Sequence, residues 1–123
     1  MFDWSEYLHY ATSLIQLPAP SEAELRSAMS RAYYAAFNTA RDFLIRIQRL
    51  APALRRHVHA TVWRLLRDSL SPVERGGLRL LDFRKKADYE RAYPRVNRDA
   101  KTAVLHAGHL VDAINQLSPS NIT

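Results

Sequence analysis

Residues 21–47 decide the fold, and they read SEAELRSAMSRAYYAAFNTARDFLIRI. Ser21 is a favourable helix N-cap and Glu24 stands three residues later, a pairing that predicts a capping box at the start of a helix. Apolar residues then keep a helical spacing until Pro52 ends the pattern. The stretch therefore predicts one long central helix, with a core side formed by Leu25, Met29, Ala32, Tyr33, Ala36, Phe37, Ala40, Leu44 and Ile47.

Shorter helices are predicted on both sides of this one. An apolar face over residues 4–16 predicts a first helix, which Pro18 and Pro20 end. A third helix is predicted after Pro52, ending near Ser69, and a fifth over residues 95–117. Their predicted core residues are Val58, Val62, Leu65 and Leu66 in the third helix, and Val96, Ala100, Ala103, Val104, Ala107, Leu110, Val111 and Ile114 in the fifth.

The fourth segment is less regular. Ser71 as N-cap and Pro72 at the first helical position predict a helix start, and a later start near Leu78 is the alternative. The alternative arises because Gly76 and Gly77 each weaken a helix by about 1 kcal/mol relative to Ala. Residues 84–93 are polar and precede a proline, which predicts a loop or a short turn there.

Together these elements predict an all-α protein, an up-down bundle of about five helices, in one domain over residues 1–117 with a frayed tail at 118–123. A length of 123 residues with 47% hydrophobic content is enough for one continuous core. The chain has no cysteine, which excludes a disulfide framework and thiol catalysis. The sequence has neither an export signal nor an apolar run long enough to cross a bilayer, so we expect a soluble, cytoplasmic protein without a membrane contact.

The net charge of +6 is concentrated in the middle of the chain. Residues 1–24 carry four acidic and no basic residues, whereas all 18 Lys and Arg fall within residues 25–101. Arginine, which recognises phosphate or carboxylate through a planar fork, accounts for most of them. This distribution is compatible with a nucleic-acid partner and equally with a solvated, Arg-rich surface.

Two strings carry a resemblance to a known family. They are SRAYYAAF at residues 30–37 and RKKADY at residues 84–89, about fifty residues apart in a chain of this size. In this order they resemble the HEPN family, named after higher eukaryote and prokaryote nucleotide-binding proteins. The similarity extends from the first predicted helix to the last.

The resemblance implies a helical domain that commonly forms a homodimer, binds RNA or a nucleotide, and is often encoded beside a minimal nucleotidyltransferase in toxin-antitoxin or defence systems. Many HEPN proteins are metal-independent ribonucleases that use an Arg followed, after four to six residues, by a His. Here Arg84 has the right spacing, but Tyr89 stands where the His would be. Tyrosine is a poor base at neutral pH, so the resemblance leaves ribonuclease activity open and makes a non-catalytic module that partners a nucleotidyltransferase the alternative.

The resemblance makes residues 84–89 the first candidate site. Arg84 and Tyr89 are the candidate catalytic pair, and Arg84, Lys85, Lys86 and Asp88 are candidate RNA or nucleotide contacts. The alternative is structural: Asp88 pairs with Arg84 one helical turn away, and Tyr89 packs on the end of the bundle.

A second candidate is a polar line on the long helix, formed by Ser30, Tyr34, Asn38 and Arg41. Their spacing places them along one side of the helix, where they would line a binding cleft or form buried polar contacts in a dimer. No cofactor motif is recognisable. His106, His109 and Asp112 share a helix side, but three ligands from one helix diverge too far for a closed metal site, so we predict no metal. His57 and His59 are two residues apart, on different sides of a helix, and with Arg55 and Arg56 they form a basic start to the third helix that would at most contact phosphate.

Overall fold

The computed structural model describes residues 2–52, 58–67 and 73–121. Within these residues the chain is helical and contains no strand, which confirms the predicted all-α class. The helices are α1 (Ser5–Ile15), α2 (Glu22–Arg46), α3 (Val58–Leu65), α4 (Val73–Tyr89) and α5 (Val96–Asn115), followed by a short 3-10 turn (Pro119–Asn121) in the predicted tail. None of the helices in the described residues is long and apolar enough to cross a membrane.

Helix α2 is the centre of the bundle and packs against each of the other four helices. Small residues on several sides allow this close approach, since Ala28, Ala32, Ala35, Ala36 and Ala40 are all completely buried. The predicted core residues of α2 are buried as well, except Ile47, which is half-buried beyond the end of the helix. The pattern in residues 21–47 thus identified the element on which the others pack.

Both ends of α2 are closed by defined backbone arrangements. At the start, the Glu24 backbone N–H donates to Ser21 Oγ at 3.1 Å and the Ser21 N–H donates to Glu24 Oε1 at 2.9 Å, which confirms the capping box. At the other end, Gln48 adopts a left-handed backbone with φ of 62°, and the Arg49 N–H donates to the Leu44 carbonyl at 2.8 Å. This is a Schellman motif, so α2 ends six residues before the proline that was predicted to end the pattern.

The predicted ends of α1 and α5 are accurate to within two residues, and every predicted core residue of α5 is buried. In α3, Val58, Val62 and Leu66 are buried and Leu65 is half-buried. The predicted end of this helix near Ser69, and the predicted capping signals Ser71 and Pro72, lie outside the described residues.

The prediction of a loop beginning at Arg84 is wrong, because α4 continues to Tyr89. Within residues 84–89 Ala87 is buried and Arg84 and Lys86 form ion pairs one turn apart, and the final carbonyls of the helix are bound by a side chain from another helix. Arg26 of α2 donates from Nη1 to the carbonyls of Ala87 at 3.0 Å and Glu90 at 2.6 Å. A guanidinium at a helix C-terminus satisfies carbonyls that lack an intrahelical donor, so this contact stabilises the last turn of α4.

The alternative start near Leu78 is also wrong, since α4 begins at Val73 and runs through both glycines. Gly77 permits a close approach to α3: a Cβ built on it would overlap the buried indole of Trp63. Gly76 is different, because a Cβ there would meet Leu110 Cδ1 at an ordinary contact distance of 3.5 Å. Gly77 therefore brings α3 and α4 together over α2, and this junction holds the candidate site.

Candidate anion-binding site

Arg84 lies on the side of α4 that faces α2, and its side chain is only 12% exposed. Its Nη2 donates a hydrogen bond to the hydroxyl of Tyr34 at 3.1 Å. The guanidinium carbon lies 5.5 Å from the ring centre of Tyr34 and 5.9 Å from that of Tyr33. The rings of two adjacent residues of α2 thus pack against the guanidinium of α4 in cation–π contacts.

The hydrogen-bonding capacity of Arg84 is mostly unused. Asp88, one helical turn away, forms the predicted ion pair with Arg84, but its Oδ2 lies 3.6 Å from Nε, too far for a good hydrogen bond. Among the described residues, Arg84 Nε is the one buried side-chain nitrogen or oxygen without a hydrogen-bond partner. Because Nε itself is enclosed, an oxyanion from solvent would reach the guanidinium through its terminal nitrogens, which are not among the buried unpaired atoms.

A histidine stands beside this arginine. The imidazole of His59, in α3, stacks on Phe37 with 4.3 Å between ring centres and lies 5.7 and 6.1 Å from the rings of Tyr33 and Tyr34. His59 and Arg84 therefore rest against the same two tyrosines. Burial lowers the pKa of His59 below its ordinary value of 6.5, and the positive charges of Arg84 and Lys85 lower it further.

Tyr33 connects His59 to the core. Its hydroxyl lies 2.8 Å from His59 Nδ1 and accepts a hydrogen bond from Trp63 Nε1 at 3.2 Å. Burial raises the pKa of Tyr33 well above its ordinary value, so the phenol remains protonated. The site is consequently a connected group of side chains from three helices, Arg84 from α4, Tyr33, Tyr34 and Phe37 from α2, and His59 and Trp63 from α3.

The polar line on α2 meets Arg84 at one position only. Tyr34 makes the hydrogen bond described above, whereas the Asn38 side chain donates to the Tyr34 backbone carbonyl at 3.0 Å. Arg41 donates to the Pro52 carbonyl at 3.2 Å, and Ser30 is half-buried without a side-chain hydrogen bond among the described residues. Tyr34 is thus the member of the line that the fold joins to the cation cluster.

The candidates in residues 84–89 separate around the helix. Asp88 stays beside Arg84, and Lys85 is exposed but near enough to influence His59. Lys86 lies on the other side of α4 and pairs with Asp82 at 3.3 Å. Tyr89 is 74% exposed and makes no contact with Arg84, because five residues correspond to about 140° of helix rotation. The predicted packing of Tyr89 on the bundle end is therefore wrong.

Sequence reasoning missed Trp63, and it placed His59 only in a basic group with His57, Arg55 and Arg56 that would at most contact phosphate. The other three residues of that group lie outside the described residues. The usable signal was helical spacing, since Val58, Val62 and Leu66 mark the buried side of α3 and position 59 adjoins it.

In the described part of the chain, no three His, Cys, Asp or Glu side chains are placed to hold a metal ion, and this includes His106, His109 and Asp112.

A second concavity lies on the opposite side of α4, a cleft of about 450 Å³ between α4 and the start of α5. Part of its charged wall is paired internally, through Lys86 with Asp82 at 3.3 Å and Arg98 with Asp99 at 3.4 Å. Unlike Arg84, its arginines Arg79 and Arg98 are exposed to solvent. Compared with family models, with curated proteins and with solved structures, the chain has no match. The HEPN resemblance accordingly stays a sequence-based prediction.

Proposed function

We propose that this chain is a HEPN-like helical domain that binds RNA or a nucleotide, and that Arg84 contacts a phosphate group. The observation that carries the proposal is the state of Arg84: it is 12% exposed, it rests on two tyrosine rings, and its Nε has no hydrogen-bond acceptor among the described residues. A planar fork of this kind matches the oxygen atoms of a phosphate.

The surroundings of Arg84 support a nucleotide rather than a simple carboxylate ligand. Tyr34 is half-buried beside the guanidinium and offers both a hydroxyl and a ring edge. Lys85 adds an exposed positive charge next to the site. Cations combined with aromatic rings are the usual elements of single-stranded RNA recognition, in which phosphates pair with cations and bases stack on rings.

Cleavage of the bound RNA is the weaker part of the proposal. Metal-free cleavage needs groups that accept and donate protons close to the reacting phosphate. Tyr89, the predicted partner of Arg84, is 74% exposed and turned away from it. Binding without cleavage therefore agrees better with the geometry, and a homodimer would be required for a second protomer to supply the missing group.

Fluorescence anisotropy with a short labelled single-stranded RNA tests the proposal. We expect Arg84→Gln to weaken binding about tenfold or more and to reduce the slope of log affinity against log salt by about 1. Arg79→Gln is the matched control, because it removes the same charge from the other side of the same helix and should cost less than about threefold. Arg84→Lys keeps the charge, so a loss in that variant isolates the contribution of the planar fork.

Equal affinities for the wild type, Arg84→Gln and Arg79→Gln would contradict a phosphate site at Arg84. Absence of RNA binding by the wild type would favour the alternative, a non-catalytic interaction module such as a partner of a nucleotidyltransferase. The 74% exposure of Tyr89 agrees with that alternative, because aromatic residues are enriched in protein interfaces. Incubation of the same RNA with EDTA, beside Arg84→Gln, tests cleavage: only products that depend on Arg84 would support it.

A further inference from the structure

The hydrogen bonds around Tyr33 fix the position of a proton. Trp63 Nε1 carries a hydrogen and can only donate, so the Tyr33 oxygen accepts from it at 3.2 Å. The single hydroxyl hydrogen of Tyr33 is then directed to its other neighbour, His59 Nδ1, at 2.8 Å. Nδ1 is therefore the acceptor, and a neutral His59 carries its proton on Nε2.

Protonation of Nδ1 would disturb this arrangement. His59 would then donate to Tyr33, and among the described residues the hydroxyl hydrogen of that completely buried tyrosine would face no other acceptor. The burial of His59 and the neighbouring cations Arg84 and Lys85 oppose a positive charge as well. His59 thus remains neutral and presents a fixed Nε2–H.

That Nε2–H has no protein partner among the described residues, and it is not one of the fully buried unpaired atoms. It can therefore meet a ligand from solvent. We infer that His59 Nε2–H and the Arg84 guanidinium donate hydrogen bonds to the same phosphate group, and that His59 acts as a fixed donor that transfers no proton. The inference rests on the proposed function and deepens it, because it adds a second residue to the phosphate site and makes the site one for binding.

Two substitutions of His59 separate its two nitrogens. The amide nitrogen of Gln stands near the position of Nε2, whereas the Asn side chain reaches only the position of Nδ1 and can still accept from Tyr33. With the labelled RNA used above, we expect His59→Gln to bind within about threefold of the wild type and His59→Asn to bind about tenfold more weakly. Neither variant titrates near neutral pH, so the difference reports a lost donor and not a lost charge.

Long-range proton–nitrogen NMR spectra of the wild type provide an independent readout. We expect the Nε2–H tautomer in the free protein and a shift of the Nε2 signal when RNA is added. An Nδ1–H tautomer, or equal affinities of His59→Gln and His59→Asn while Arg84→Gln weakens binding, would overturn the inference and leave the proposed function intact. If His59→Gln, His59→Asn and Arg84→Gln all bound RNA as tightly as the wild type, both the inference and the proposed function would be overturned. Cleavage in EDTA that His59→Gln abolishes would show proton transfer and so contradict a fixed donor.

Discussion

The two sides of α4 carry similar charges in very different surroundings. We call the side of Gly77, Arg84 and Asp88 the inner face, because it packs on α2 and α3, and the side of Arg79, Asp82 and Lys86 the outer face, because it borders the cleft toward α5. On the inner face the guanidinium is nearly buried, and its Nε lies 3.6 Å from Asp88 without a hydrogen-bond acceptor among the described residues. On the outer face Lys86 is close to half exposed and already paired with Asp82.

The comparison shows that the surroundings, and not the count of charges, distinguish a binding group from a solvated one. Arg84 and Lys86 are two residues apart in the string RKK, yet helix rotation directs them to opposite sides. Exposed ion pairs such as Lys86 with Asp82 contribute little free energy, typically below about 1 kcal/mol. A nearly buried guanidinium with unused donors has much more to gain from an acceptor. Experiments that alter one face and spare the other test this difference directly.

The largest effect is expected from a substitution at Gly77, where the absence of a side chain lets α3 approach the inner face. A Cβ at position 77 would overlap the Trp63 ring, which is completely buried and cannot move without displacing its neighbours. We expect Gly77→Ala to lower the free energy of unfolding by about 3 kcal/mol, at the upper end of typical overpacking costs. Urea denaturation followed by circular dichroism measures the change.

Gly76→Ala is the matched control, because the added methyl group meets Leu110 at an ordinary distance of 3.5 Å. Higher helix propensity should then make this variant equal to the wild type or up to about 1 kcal/mol more stable. Equal effects of both substitutions on stability would mean that Gly77 tolerates a Cβ as well as Gly76 does. The close approach of α3 would then not depend on Gly77.

An intermediate effect is expected from the two adjacent tyrosines under Arg84. Tyr33→Phe removes the acceptor of the buried Trp63 N–H and the donor to His59, which should cost about 2 kcal/mol of unfolding free energy. Tyr34→Phe removes only the acceptor of the half-buried Arg84 Nη2 and should cost about 0.5 to 1 kcal/mol. Thermal and urea denaturation of the two variants measure the difference, and a larger cost at Tyr34 would contradict a network that extends from the core through Tyr33.

The sequence predicted the elements whose causes are local. The capping box at Ser21, the apolar spacing of α2 and the core side of α5 all follow from neighbouring residues, and all of them are present. The predicted loop at residues 84–93 failed at its start because the stabilising partner, Arg26, lies more than sixty residues away along the chain. Local polarity at residues 84–89 could not reveal that a cation from α2 binds the last carbonyls of α4.

The candidate site could be predicted only in part for the same reason. Arg84 was named from the second string and Tyr34 from the polar line on α2, and the fold joins them by a hydrogen bond of 3.1 Å. His59 belongs to neither string, since a third helix supplies it and Gly77 determines how closely that helix approaches. A motif of fixed spacing on one helix directs attention to Tyr89, whereas three-helix packing places an imidazole next to Arg84. Contacts between side chains of different helices depend on how the helices pack, and the spacing of residues along the chain does not predict them.

The smallest effect concerns two histidines, one beside each face. Burial is the largest of the causes that lower the pKa of His59, and the charges of Arg84 and Lys85 lower it further. Burial is also the largest cause at His106, where Arg79 and His109 lower the pKa further. We expect proton NMR titration to give midpoints below 6.5 for both. Between pH 6.5 and each midpoint, the unfolded chain binds a proton that the folded chain does not. The free energy of unfolding therefore falls as the pH decreases through this window, whereas above pH 6.5 the two histidines contribute no pH dependence.

The two arginines should act separately on these histidines. Arg84→Gln is expected to raise the midpoint of His59 and leave that of His106 unchanged, and Arg79→Gln to do the reverse, because each cation influences the histidine on its own side of α4. Raising the salt concentration should reduce the Arg79 effect more, since that side is open to solvent and the Arg84 side chain is nearly buried. If either substitution moved both midpoints equally, α4 would not separate two electrostatic environments, and the contrast between its inner and outer faces would reduce to packing alone.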